Sequence, residues 1–589
     1  MMLRRIYILL AVCWAFGGVV GAETTYQPDC LEAIGVRQLS DFEPELRGAN
    51  VRVGLIELCQ EGPTDQRGQA FLPNFYHQSL RSARHRGLFY YQNPYRPAQY
   101  SGHASMIAGL LVGDDPNAGY AGLGSFYYRG IVPAAQLDVF ETNWFIYQCI
   151  LSPSAQEVQA DVLSISWGTT ASDSLTMAWQ RGIDALVERA GCVVAAGCGN
   201  GGSETPGINK PSWGNNVISV GTARGLGEFA DNLRYVGPPS GAYSSLGPTD
   251  DGRAKPDVLA AGLCLGPDAI TDNGYCRDAQ AVGYSSFAAP QVAGVAALLI
   301  DAARENQISR GDDPRLIKAL ILNGANKLAG WHKGKCDPND DAYFPLDYRQ
   351  GAGLVNAWNS YRQLCAGRYD PNSVNDPNSG RINAGWDLDE IAVNPADPNS
   401  VRIYEMKSEL GAGDVFKATL TWYRRYQSKG MFAALPQVRL ILELWSLDAQ
   451  GRLGRKLDGS ASEADNLQHI YYRGEEGIRI ALVVRGGGSA EEQATRKVTY
   501  ALAYSGVDGN WSGDQWSADF NADGIVDVAD LLQFIQAWRR YREEPAWAQL
   551  ALEEPYLAED LNGDGQVNTK DFDIFSQQWQ KRSCWYRQL

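Results

Sequence analysis

Beyond its first 20 residues the chain has no run long and apolar enough to span a bilayer, and 44% hydrophobic content is too low for a multi-span membrane protein. Basic residues are in deficit, 52 against 68 acidic ones. The resulting net charge of −16 argues against nucleic acid or an anionic membrane as partner. Histidine is also scarce, with only His77, His85, His103, His332 and His469. A general base working near neutral pH is most often histidine, so few residues can fill that role.

The apolar run that is present opens the chain. Arg4 and Arg5 precede Ile6 to Val20, and Val20-Gly21-Ala22 offers small residues for cleavage. Residues 1–22 are therefore expected to be a secretory signal, with an uncleaved anchor helix as the rival reading. Val12 is too bulky for the box that precedes a lipidated cysteine, which argues against lipidation of Cys13. Cleavage would remove two arginines and no acid, taking the net charge from −16 to −18, and would leave no transmembrane segment. Without Cys13, ten of the 11 cysteines remain, an even number that suggests disulfides in an exported protein. Cys264/Cys276 and Cys336/Cys365 are the first pairs to expect, because each closes a short, loop-like stretch. Cys192 and Cys198 flank an apolar, strand-like run and read equally well as buried thiols.

A chain of 589 residues exceeds one ordinary domain, so two to four are expected. From about Thr25 to Cys365, short apolar runs alternate with helical patterns. Val51–Ile56, Val162–Ile165 and Cys192–Ala196 are strand candidates; Ala104–Val112, Ser174–Arg189, Phe287–Ala303 and Pro314–Asn323 are helix candidates. Strands apolar on both faces imply an α/β fold, a parallel sheet covered by helices on two sides. The polar stretch 370–378 reads as linker. The period then becomes two. Phe416, Ala418, Leu420 and Trp422 share one face, and Lys417, Thr419 and Thr421 the other. Val438–Leu444, Ile478–Val484 and Tyr500–Tyr504 continue the pattern of an antiparallel β-sandwich. A second linker, Ser505 to Ser517, leads to the C-terminal region.

Chemistry concentrates at two helix starts. Tyr284-Ser285-Ser286-Phe287-Ala288-Ala289-Pro290 puts a serine where an apolar helix begins, and the positive potential there favours a developing anion. Ser286 is a plausible nucleophile if a base lies within reach. His103 opens a small-residue helix in Gly102-His103-Ala104-Ser105-Met106-Ile107-Ala108-Gly109. A lone histidine there is more often a structural cap; the surrounding motifs lift it above that. His103–Gly109 resembles the histidine motif of the subtilisin-like serine proteases, and Ser285–Pro290 resembles their nucleophile motif. Val193–Asn200 resembles the strand that ends in their oxyanion-hole asparagine, and Ser166-Trp167-Gly168 the segment that pairs with bound peptide. Ser244–Thr249 with Lys255–Val258, and Gly351–Ala357, resemble later signatures of the same family, in the same order.

The resemblance implies a secreted serine endopeptidase working through an acyl-enzyme, with no cofactor needed for the chemistry. Ser286 would be nucleophile, His103 general base and Asn200 oxyanion donor, with Ser166, Trp167 and Gly168 binding a protein or peptide substrate. The third triad member departs from the pattern. The family has aspartate after the first strand; this chain has Glu57, one methylene longer. Glu57 either orients His103 or marks a silent site on a scaffold that binds or anchors. The sedolisin group, which uses glutamate, places acids where this chain has His103 and Asn200. Tyr284 and Met106 depart from a family glycine and histidine. The stretch between Ala22 and Glu57 leaves no room for the pro-domain many secreted relatives carry. Residues 384–507 resemble the sandwich that follows some large subtilases, chiefly through Leu420-Thr421-Trp422 and Asp465–Tyr471, with His469 read as structural.

The last region carries a metal pattern. Asp519, Asn521, Asp523, Ile525, Asp527 and Asp530 occupy positions 1, 3, 5, 7, 9 and 12 of one loop, with Gly524 at the turn. Asp560, Asn562, Asp564, Gln566, Asn568 and Asp571 repeat it around Gly565. Such spacing wraps Ca²⁺ in oxygen, with a backbone carbonyl serving at position 7. An apolar helical stripe follows each loop: Leu531, Phe534, Ile535 and Trp538, then Phe572, Phe575 and Trp579. Aspartate at position 12 and one helix per loop resemble the EF-hand-like dockerin module, which implies a cohesin-type partner and a cell-surface tether. The spacer Ala529 to Glu559 is longer than usual for that module. The expected organisation is signal 1–22, catalytic domain 23–366, linker 367–383, sandwich 384–507, linker 508–517 and dockerin-like module 518–584.

Overall fold

The computed structural model describes residues 31, 33–58, 71–81, 89–90, 100–121, 124–202, 207–225, 236–237, 244–262, 264–277, 284–328, 331–334, 344–369, 371, 384–406, 409–411, 414–428, 431–474, 477–488, 497–506, 518, 526–543, 561 and 567–579. The signal segment 1–22 therefore lies outside the described residues, as does Cys336.

The first part is an α/β layer structure. Helix α1 (Val36–Phe42) precedes strand β1 (Arg52–Glu57), after which come β2 (Phe89–Tyr90), β3 (Gln136–Glu141), β4 (Val162–Ile165), β5 (Val193–Gly197), β6 (Ile218–Gly225) and β7 (Val258–Ala261). They lie side by side in the order β7-β6-β5-β4-β1-β3-β2, and these neighbours run parallel. Helices α2 (Gly102–Val112), α3 (Ser174–Ala190), α4 (Ser285–Glu305), α5 (Pro314–Gly324) and α6 (Ala357–Ala366) complete the layers. The central strands are buried on both faces, which is why they read as continuous apolar runs. Local signals set the helix ends. Asp173 caps α3 by accepting from Leu175 and Thr176 N–H, and Gly191 (φ 65) ends it in the left-handed conformation. Asp313 caps α5, whose first residue is Pro314. By length and composition α4 meets the criterion for a bilayer span, contrary to the sequence expectation, yet it is the buried core helix of this layer.

The second part is an antiparallel sandwich. Two short strands, β8 (Leu265–Pro267) and β9 (Tyr275–Arg277), follow β7, and the sandwich strands are β10 (Ala384–Ala392), β11 (Val401–Glu405), β12 (Val415–Trp422), β13 (Leu440–Leu447), β14 (Leu453–Ser460), β15 (Leu467–Arg473), β16 (Ile480–Gly486) and β17 (Lys497–Ser505). One sheet is ordered β10-β17-β12-β15 and the other β11-β16-β13-β14. Phe416, Ala418, Leu420 and Trp422 face the sandwich core with Leu440, Leu442, Leu444, Leu482 and Val484. The alternate face, Lys417, Thr419 and Thr421, is buried as well. It packs on the α/β layer: Thr421 Oγ1 donates to the Arg315 carbonyl, and Thr419 Oγ1 to Asn323 Oδ1 at 3.1 Å. Trp386, Leu388, Leu467, Ala501 and Ala503 share one continuous core with α4, α5 and α6. His469 is buried between Thr419 Oγ1 and Lys327 Nζ, each 2.8 Å away. Burial and the neighbouring lysines hold its pKa well below 6.5, so it is a neutral structural imidazole.

The disulfide expected between Cys264 and Cys276 is not formed; Cys276 is a thiol. Residues Leu265–Pro267 and Tyr275–Arg277 pair antiparallel with Cys276 opposite Gly266. Cys264 thus stands two positions along the strand from that partner, and such diagonal neighbours are too far apart to bridge. Cys192 and Cys198 are buried thiols. Burial pushes the Cys192 thiol up to about 12.

Near the C-terminus, α7 (Val528–Glu543) and α8 (Thr569–Gln578) pack through Leu531, Phe534 and Phe575, with Trp538, Phe572 and Trp579 against them. Ile535 does not join this stripe; it is exposed.

Candidate active site

Every candidate catalytic group sits at the C-terminal edge of the parallel sheet or at a helix start facing it. This is where open α/β sheets bind ligands. Glu57 is the last residue of β1. Ser166 follows β4, and Asn200 follows β5. His103 and Ser286 are each the second residue of a helix, α2 and α4.

His103 Nδ1 and Glu57 Oε2 are 2.8 Å apart. Glu57 is only 2% exposed, and among the described residues its other oxygen, Oε1, is buried without a hydrogen-bond partner. Among those residues the imidazole is the carboxylate's one hydrogen-bond contact. Burial lowers the His103 pKa, but the charge of Glu57 and its hydrogen bond outweigh that and leave it above 6.5. The His103 ring also lies against Phe287, the residue after Ser286, with centroids 6.0 Å apart.

Ser286 Oγ donates to the Ser166 carbonyl at 3.0 Å, and Ser166 Oγ donates to the Ser286 carbonyl at 2.8 Å. The segment Ser166-Trp167-Gly168 is thereby stitched to the nucleophile's own backbone. Trp167 packs on Trp179, with centroids 5.5 Å apart. Gly168 is exposed, and neither it nor Trp167 makes a backbone hydrogen bond among the described residues, so an open main-chain edge lies beside Ser286.

Asn200 Oδ1 accepts from both Ser285 N–H and Ser285 Oγ, each at 2.9 Å. A backbone N–H can only donate, so this pair fixes the carboxamide oxygen and leaves Nδ2 as a donor. Ser285 was not singled out by sequence reasoning, although its hydroxyl also accepts from Gly199 N–H at 3.2 Å. Gly197 permits this closeness, because a Cβ there would sit 3.0 Å from the Ser285 carbonyl and hydroxyl oxygens. The two family departures leave the geometry intact. Tyr284 has φ −124, ψ 148, which needs no glycine, and Met106 is buried.

Of the other histidines, His77 is buried between Ser79 Oγ and the Gly274 carbonyl, and His332 Nδ1 lies 3.3 Å from the Lys333 carbonyl. His85 is outside the described residues. So are the calcium-loop candidates Asp519, Asn521, Asp523, Ile525, Asp560, Asn562, Asp564 and Gln566. Asp527, Asp530, Asn568 and Asp571 are described. Asp530 and Asp571 are fully buried in the first turns of α7 and α8. Their carboxylates accept from Asp527 N–H and Asn568 N–H, both at 2.8 Å.

Two family models match the chain. A model described as the subtilase family matches residues 47–353, and one described as the dockerin type I domain matches residues 517–578. Pyrolysin of Pyrococcus furiosus is 28% identical over 320 residues, which cover 45% of this chain and 21% of that protein. Serine protease AprX of Bacillus subtilis is 28% identical over 298 residues, covering 45% of this chain and 58% of its own. Subtilisin-like protease SBT6.1 of Arabidopsis thaliana is 27% identical over 270 residues, covering 45% and 22%. The chain thus spans between 21% and 58% of the length of these relatives. Among solved structures, the prenylagaramide maturation protease PagA is 21% identical and covers 55% of this chain and 98% of its own, with a TM-score of 0.35.

Proposed function

The chain belongs to the subtilase family, and from that premise we propose that it is a secreted serine endopeptidase whose triad is Ser286, His103 and Glu57. The observation that carries the reading is the 2.8 Å contact from His103 Nδ1 to Glu57 Oε2. It fixes the tautomer with the proton on Nδ1 and leaves Nε2 as the base. The Ser286 hydroxyl turns from the Ser166 carbonyl to Nε2, loses its proton, and attacks the scissile carbonyl carbon. The negative charge that forms on the carbonyl oxygen is held by Asn200 Nδ2 and Ser286 N–H. His103 then gives the proton to the departing amine as the C–N bond breaks, leaving an acyl-enzyme. Water, deprotonated by the same imidazole, releases the acid and restores Ser286. The open edge at Trp167 and Gly168 pairs with the peptide main chain.

The second reading, a silent subtilase-like scaffold for calcium-dependent anchoring, is favoured by the Ser286 hydroxyl resting on Ser166 rather than on His103. A serine-directed fluorophosphonate separates the two. Labelling lost in Ser286→Ala supports the protease, and unlabelled folded wild type supports the scaffold.

The remaining parts extend the reading. The domain limits proposed are 23–366, 384–507 and 518–584, behind a signal at 1–22. The last is a dockerin type I module that binds Ca²⁺ and docks a cohesin-type partner, tethering the enzyme outside the cell. Asp519, Asn521, Asp523, Ile525, Asp527 and Asp530 would hold one ion, and Asp560, Asn562, Asp564, Gln566, Asn568 and Asp571 the other. Two carboxylates with no exposed surface, Asp530 and Asp571, fit a bound cation, because buried charge needs compensation.

A further inference from the structure

The sandwich reaches back onto the α/β layer through residues 423–428 and 431–435, between β12 and β13. Phe432 is buried with Ile150 and Ile183 beneath α3. Its φ of 49 is a conformation bulky residues seldom take, so packing holds the turn in place. Gly182 makes room for it, since a Cβ there would lie 3.0 Å from the Phe432 ring. Next to it, the Tyr426 hydroxyl donates to Asp184 Oδ2 and accepts from Asn215 Nδ2 at 3.1 Å.

Asp184 is wholly buried on α3, and its carboxylate gathers the N–H groups of Asn215 at 2.9 Å, Asn216 at 2.5 Å and Val217 at 3.2 Å. Asn216 exchanges two hydrogen bonds with the backbone of Arg424, at 2.9 and 2.8 Å. The strand entrance at 215–217 is therefore held from the sandwich side.

A few residues earlier the same stretch supports the site. Lys210 exchanges both backbone hydrogen bonds with Thr169, at 3.0 and 2.9 Å, and Asn209 N–H donates to the Cys198 carbonyl at 2.8 Å. The Asn209 side chain fills the gap between two glycines. A Cβ on Gly168 would stand 2.8 Å from its Cβ, and one on Gly199 would stand 2.7 Å from its Cγ. Gly168 belongs to the open peptide-binding edge, and Gly199 precedes the oxyanion asparagine.

We propose that Tyr426 is a positioning residue. Through Asp184 and Asn215–Val217 it seats the 209–213 stretch against both walls of the substrate site, so the sandwich forms part of the substrate-binding apparatus. The assignment rests on the protease reading. A displacement near 1 Å at such a support is enough to change binding of an extended peptide.

The test uses the full chain. Tyr426→Phe removes the hydroxyl and keeps the ring, and Asn216→Ala cuts the same link from the other side. Steady-state cleavage of a fluorogenic peptide extended on both sides of the scissile bond gives KM and kcat. The labelling rate of Ser286 by diisopropyl fluorophosphate reports on the triad with a probe too small to span the 166–168 edge. The expected result is a KM raised by about 5- to 20-fold in either variant, with kcat and the labelling rate within about twofold of wild type. Arg425→Ala, which among the described residues breaks only a surface ion pair with Glu188, should leave KM unchanged. Unchanged KM in whichever of the two variants folds, with only a lower melting temperature, would overturn the assignment and leave the arm a mere brace. A folded wild type that is neither labelled nor active would instead overturn the protease reading, and this assignment with it.

Discussion

Replacing Glu57 by aspartate restores the residue usual in the family, yet it should harm the proposed catalysis. Oε2 now lies 2.8 Å from His103 Nδ1. Removing one methylene shortens the reach by about 1.5 Å. The backbone cannot easily follow, because β1 is paired on both sides, with Glu57 opposite Glu141 and Ile56 opposite Ile165. The separation then grows to about 4 Å, which is no hydrogen bond. A hydrogen bond to a charged group is worth about 1.5–3 kcal/mol, so kcat/KM should fall by roughly 10- to 150-fold. The assay is peptide hydrolysis with circular dichroism melts alongside. A modest loss of stability, near 1 kcal/mol for a buried methylene, is expected too. An aspartate variant as fast as wild type or faster would refute the claim that the strand end is built for the longer acid.

Three further outcomes follow from the same geometry. His103 must be neutral to accept the Ser286 proton, and its pKa is raised, so kcat/KM should fall as pH drops through a midpoint above 6.5; in Glu57→Gln that midpoint should move down. Asn200→Ala should lower kcat by about 10²–10³-fold with little change in KM, a magnitude established on a family member rather than calculated from this site. Asp530→Asn with Asp571→Asn should abolish calcium binding by the C-terminal module in titration calorimetry, while hydrolysis by the triad persists.

The placement of Ser286 and His103 at helix starts and of Asn200 just beyond a strand was legible because each lies in a local signal that survives without knowledge of the rest. The Glu57 contact was not. Whether one extra methylene reaches or overshoots depends on where the strand ends, to a fraction of an ångström. The alternation along 415–422 correctly announced a sandwich strand, yet it concealed that its polar face is buried on α5. Threonine hydroxyls facing a helix end look the same in sequence as threonines facing water. Cys264 and Cys276 misled because loop length says nothing of register, and the two-residue offset is decisive. Residues 423–428 and 431–435 carried no pattern at all; Tyr426 gains meaning from Asp184 and Asn215, more than two hundred positions away.

The central claim is that Ser286, driven by His103 and Glu57, hydrolyses peptide bonds. The most direct measurement is cleavage of unfolded casein by the mature protein with Ca²⁺, beside Ser286→Ala. The account predicts cleavage by wild type, stoichiometric fluorophosphonate labelling at Ser286, and loss of both in the variant. A correctly folded wild type that neither cleaves nor labels, or a Ser286→Ala variant that cleaves equally well, would contradict it.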